Sequence, residues 1–169
     1  MAQFAFDRSR KTLLVTCFCV AATLVGAADT PFVFPATARF VLSPSLTRDV
    51  MRQCSRATPS AVSGAWQPSS EDIDELERAL PKYLEQRVRT GEEVPPERQA
   101  YHRQYVGFAR KGERYIYGNF YPASAATGYW KARESKQAFV VCDGGPAFWG
   151  IVFRVSTKTF EEIHFNGLG

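Results

Sequence analysis

Apolar and polar positions alternate most densely near the end of the chain, in residues 138–167. Along 148–155, Trp149, Ile151, Phe153 and Val155 fall on one face and Phe148, Gly150, Val152 and Arg154 on the other, the period of two that marks a strand. A second run, 160–165, sets Ile163 and Phe165 against Glu162 and His164. A three-residue loop, Thr157-Lys158-Thr159, then predicts a hairpin with Phe153 opposite Ile163, Ile151 opposite Phe165, and Arg154 beside Glu162. Upstream, 138–142 reads as a further short strand, ended by Asp143-Gly144-Gly145-Pro146, where glycine supplies positive φ and proline stops pairing.

A second hairpin is predicted from 101–109 and 113–121 around the turn Arg110-Lys111-Gly112, with glycine last as in a type I turn closed by a left-handed residue. That register pairs Val106 with Ile116 and His102 with Phe120 on one face. On the other, Tyr101 meets Tyr121, Tyr105 meets Tyr117, Tyr115 meets Gly107, and Arg103 lies opposite Asn119. Five of the seven tyrosines then share one surface. Residues 122–137 form a loop leading to the last hairpin.

The helical period appears between the arm and the hairpins. Ser69 is placed to cap, Asp72 reaches back three residues later, and acids fill the first turn. Ile73, Leu76, Leu80, Leu84 and Val88 make one apolar stripe that keeps its phase across Pro81, which predicts one kinked helix over about 70–89. Leu46, Val50, Met51 and Cys54 suggest a shorter helix starting at Ser45 or Thr47. Residues 29–44 read as an extended arm with an edge strand over 39–42. Residues 56–67 read as a connector from which Trp66 folds back. The fold class is α+β: one long helix packed on an antiparallel sheet of four or five strands built from two hairpins, with a short N-terminal helix and one disulfide.

Composition alters this picture at the N-terminus. Arg8, Arg10 and Lys11 precede an apolar stretch over 12–26 that falls short of the ~20 residues a membrane span needs, and Val25-Gly26-Ala27 supplies small residues for cleavage. Residues 1–27 therefore read as a cleaved signal peptide, with no permanent membrane span after processing. Residues 28–67 form the arm, short helix and connector, and 68–169 the α+β domain. Without 1–27 the chain keeps 18 basic and 16 acidic residues; no basic run remains, and nucleic-acid binding is excluded as a class. Cys17 and Cys19 leave with the segment. Cys54 and Cys142 remain, and in an oxidising compartment they predict a disulfide.

The sequence contains no nucleophile elbow, zinc motif, phosphate-binding glycine loop or paired C-x-x-C, and only two histidines. No metal site or cofactor is expected. His102 reads as a satisfied core histidine and His164 as a surface partner of Arg154 and Glu162. The feature above background is the aromatic face Tyr101, Arg103, Tyr105, Tyr115, Tyr117 and Tyr121, since tyrosine with arginine is common at binding surfaces. The leading expectation is an exported, periplasmic or secreted, non-enzymatic binding protein, an inhibitor or immunity-type partner of another exported protein. The alternatives are a small exported hydrolase-like enzyme centred on His164 with Glu162 and Arg154, or a structural envelope component.

Overall fold

A computed structural model describes residues 32–169. The predicted signal segment, 1–27, lies outside these residues. The chain is α+β, with two helices, one disulfide and, among the described residues, a six-stranded sheet. Strands β1 (Arg39–Val41), β2 (Gly64–Trp66), β3 (Tyr101–Arg110), β4 (Glu113–Pro122), β5 (Trp149–Arg154) and β6 (Thr159–Phe165) lie in the order β1-β3-β4-β5-β6, with β2 also on the β3 edge. The sheet is mixed and not purely antiparallel, because β1 runs parallel to β3, pairing Arg39 with Arg103 and Val41 with Tyr105. The predicted edge strand is thus present, and the connector contributes β2, which brings Trp66 opposite Gly107.

Helix α2 spans Ser70–Thr90, 21 residues, with Ser69 and Asp72 completing a reciprocal capping box and Gly91 ending it in the left-handed conformation. Pro81 lies inside it without ending it. Ile73, Leu76, Leu80 and Leu84 are fully buried against Tyr101, Tyr105, Ile116, Phe120, Trp149, Ile151 and Phe153 of the sheet. Val88, the expected end of this stripe, is exposed. The other sheet face is covered by helix α1 (Thr47–Met51), whose Val50 and Met51 pack on Val106, Phe108, Tyr117 and Val152, and by irregular segments around Phe139.

The central hairpin corrects the predicted register by one residue. The turn holds two residues, Lys111 and Gly112, both at positive φ (52° and 79°), the conformation whose twist matches paired strands. Val106 therefore pairs with Tyr117, His102 with Tyr121 and Gln104 with Asn119, rather than Val106 with Ile116 or Arg103 with Asn119. A one-residue slip turns one strand over relative to the other. Tyr101, Arg103 and Tyr105 face α2, while Tyr115, Tyr117 and Tyr121 face the opposite layer. The shared tyrosine surface does not form.

In the last hairpin the register is shifted by two residues at Ile151 and by three at Phe153 from that predicted. Ile151 pairs with Ile163, Phe153 with Phe160 and Arg154 with Thr159, with a β-bulge between. The bulge absorbs one residue at Glu161 and Glu162 and so brings Phe160 to the same core as Ile163 and Phe165. Segment 138–142 is not a strand. Its backbone bonds go to side chains, as described below.

The turn geometry yields the first prediction. Lysine carries a Cβ penalty of about 1–2 kcal/mol in the left-handed region that asparagine tolerates better. Lys111→Asn should therefore raise unfolding free energy by about 1 kcal/mol in urea titration; a loss of stability would contradict the two-residue turn.

Candidate functional site

Two polar clusters flank the sheet. On the α2 side, Arg103 is fully buried; its Nε donates to Glu77 Oε1 at 2.7 Å, and its Nη atoms donate to the carbonyls of Pro35 and Phe34. Tyr105 donates to the same Glu77 oxygen at 3.0 Å, and Arg39 pairs with Asp74 and Glu77. The cluster ties α2, β1, β3 and the arm together. It explains why an arginine sits in the middle of a strand whose neighbours are buried.

On the other side, the cross-strand pair Gln104 and Asn119 holds the irregular layer. Gln104 Nε2 donates to the carbonyls of Glu134 (2.7 Å) and Gln137 (2.6 Å), and its Oε1 accepts from Phe139 N (2.8 Å). Asn119 Nδ2 donates to Phe139 O at 2.9 Å, and Asn166 Nδ2 donates to the carbonyls of Val141 and Asp143. Arg56, buried without a carboxylate partner among the described residues, donates to Tyr117 Oη (3.1 Å), Asn166 Oδ1 (2.7 Å) and Asn119 Oδ1. Glycine at 150 is required here, since a Cβ would stand 2.2 Å from the Tyr117 hydroxyl that meets Arg56. The disulfide Cys54–Cys142 closes an 88-residue separation and pins the Arg56 segment to 138–143.

Beside this network, Glu134 is 2 % exposed; its Oε2 lies 2.7 Å from His102 Nδ1 and accepts from Tyr121 Oη at 3.4 Å, while its Oε1 is buried without a partner. His102 is indeed held by a partner, though it lies on the face opposite the α2 core. A carboxylate orients an imidazole in this way in hydrolytic triads, but the described hydrogen bonds bring no hydroxyl or thiol to His102. The constellation expected at the last hairpin is rearranged. Arg154 pairs with Glu161 at 2.5 Å, Glu162 with Arg110 at 2.7 Å, and His164 Nε2 lies 3.9 Å from Glu162.

All five strand tyrosines are buried and form no exposed face. Loop 122–137 carries an exposed aromatic side chain instead. A run of tight turns, with Trp130 N donating to Thr127 O, Arg133 N to Trp130 O and Gln137 N to Arg133 O, fixes its backbone, while Gln104 and Phe139 hold it from beneath. At its tip Tyr129 is 59 % exposed, the Arg133 guanidinium stacks over its ring at 3.8 Å, and Trp130 stands edge-on at 5.5 Å. Lys131 and Lys136 are exposed alongside. The loop's one carboxylate, Glu134, is turned inward. The outward face is therefore aromatic and cationic.

Sequence reasoning missed Gln104, Asn119, Arg56, Asn166 and Glu134 because each meets partners distant in the sequence. A two-residue turn would have placed Gln104 and Asn119 side by side. Among the described residues no group of three or more His, Cys, Asp or Glu could hold a metal ion, and no helix is long and apolar enough to cross a membrane. No family model, curated protein or solved structure matches this chain.

Burial raises the pKa of Tyr101, Tyr105, Tyr117 and Tyr121 above the usual value of 10.0, with the Glu77 charge adding to the shift at Tyr105, the Glu134 charge at Tyr121, and Arg56 opposing it at Tyr117. These phenols stay protonated in the folded chain where the unfolded chain ionises, so the folded state holds more protons and stability falls as pH rises above about 10. Urea midpoints at pH 8 and 10.5 should show this fall together with incomplete tyrosinate absorbance at 295 nm before unfolding; full ionisation of the native protein would contradict the burial.

Proposed function

We propose that this chain is an exported, non-enzymatic binding protein that engages an acidic surface of another exported protein through Tyr129 and Arg133, without a cofactor. The observation that carries the reading is an exposed tyrosine stacked under an arginine on a loop whose backbone is fixed. Large aromatic and arginine side chains dominate interface energetics, and prior ordering lowers the entropic cost of binding. Lys131 and Lys136 extend the positive field and favour an acidic partner by steering encounter. Export is supported by the disulfide, which oxidising compartments maintain, and by the signal-like character of residues 1–27.

The inhibitor or immunity-type role fits this geometry better than an enzyme does, because the ionic groups are largely engaged in holding the fold. The hydrolase-like alternative centred on His164 has less support. That histidine lies beside a carboxylate already committed to Arg110.

Binding partners recovered from the native exported fraction should be retained by the wild type and by Tyr101→Phe. With the purified partner, Tyr129→Ala and Arg133→Ala should each weaken binding about 30-fold, the effect of a hot-spot residue worth about 2 kcal/mol, with unchanged thermal midpoint and with affinity falling as salt rises. Equal affinity of the folded variants would overturn the assignment.

A further inference from the structure

A second surface lies on the same layer, where α1 faces the segment that leads into β2. Two adjoining cavities of about 360 and 260 Å³ share Thr47, Arg48 and Val62 as walls. The first extends to Gly64 and Ala65 of β2, the second to Met51, Arg52 and Pro59. Arg48 and Arg52 stand four residues apart on and just after α1, one helical turn, and so reach the same side. Both are exposed, and neither guanidinium has an ion pair or hydrogen bond among the described residues.

This sets them apart from Arg39, Arg87, Arg103, Arg110 and Arg154, each of which meets a carboxylate. The walls of the two cavities include no acidic residue. Val62, on the wall that the two cavities share, is 38 % exposed. Strand β2 pairs only with β3, so its outer edge borders the cleft at the exposed residues Gly64 and Ala65. Ala61, which precedes the wall residue Val62, is a non-glycine residue at φ 56°, the kind of local strain that persists where the surrounding structure holds it.

We propose that this cleft binds an extended peptide segment of a partner protein that carries a carboxylate. The peptide backbone lies along the free β2 edge, where main-chain groups can add a strand. Its carboxylate meets Arg48 and Arg52, whose planar guanidinium groups match it in paired hydrogen bonds. An apolar neighbour on the peptide covers Val62, Pro59 and Met51. The cleft is two-lobed and bordered by an open strand edge, which suits an extended chain better than a compact anion. This site stands or falls with Arg48 and Arg52, independently of Tyr129 and Arg133.

The test is selection of a display library of random hexapeptides on the full chain, with counter-selection on the Arg48→Ala/Arg52→Ala double variant. Neither side chain supports the fold, so the variant should keep the wild-type melting curve. Peptides enriched on the wild type should carry aspartate or glutamate beside an apolar residue and shift the amide resonances of Gly64 and Ala65. They should bind the double variant at least tenfold more weakly while binding Tyr129→Ala as tightly as the wild type. Enrichment without acidic residues, equal binding to the double variant, or resonance shifts confined to other parts of the chain would overturn the proposal. Octanoate competing as well as the selected peptide would overturn the peptide assignment in favour of a small anionic amphiphile.

Discussion

A sheet face covered by irregular backbone leaves amide and carbonyl groups buried without helix or ladder partners, and each unpaired group costs about 1–3 kcal/mol. Here the sheet itself supplies the partners. Gln104 and Asn119, adjacent across β3 and β4, together accept from Phe139 N and donate to the carbonyls of Glu134, Gln137 and Phe139. Asn166 donates to the carbonyls of Val141 and Asp143. Arg56 links the two asparagines and Tyr117. Such a network is favourable only when its members are satisfied, so the loss of one amide exposes the others.

The two sides of the sheet solve the same problem differently. Helix α2 satisfies its backbone internally and brings an apolar stripe to the sheet, with an ionic cluster around Glu77 beside it. The opposite layer has no such economy of form and depends on side-chain amides and on Cys54–Cys142. What it gains is a fixed, non-repetitive surface. The loop that carries Tyr129 and Arg133 is anchored through Gln104 and Phe139, and the cleft beside Arg48 is walled by α1 and the strand edge of β2. Both proposed binding surfaces therefore rest on the same layer.

Local signals in the sequence led to the elements they encode locally. Ser69 and Asp72 marked the start of α2, the apolar spacing carried it past Pro81, and the two cysteines remaining after residue 27 paired as expected. Pairing between elements was less legible. In the central hairpin, Tyr115, Tyr117 and Tyr121 fit either face, because both faces are buried and aromatic, so hydrophobicity could not separate a three-residue turn from the two-residue turn at Lys111 and Gly112. The bulge at Glu161 and Glu162 broke the alternation that placed Phe160 with the polar residues. Segment 138–142 had the apolar character of a strand, but its partners are the side chains of Gln104, Asn119 and Asn166, for which no periodicity exists. The tyrosine face failed with the register, and Tyr129, outside any strand, carried no pattern to single it out.

Hydrogen exchange at the Phe139 amide reports most directly on whether a side-chain pair holds the layer. Its N–H donates to Gln104 Oε1 at 2.8 Å, so it should exchange as slowly as the amides of β4 in the wild-type protein and become selectively fast in Gln104→Ala while β4 stays protected. A Phe139 amide that exchanges freely in the wild type, or that remains protected in Gln104→Ala, would contradict the role given to this pair.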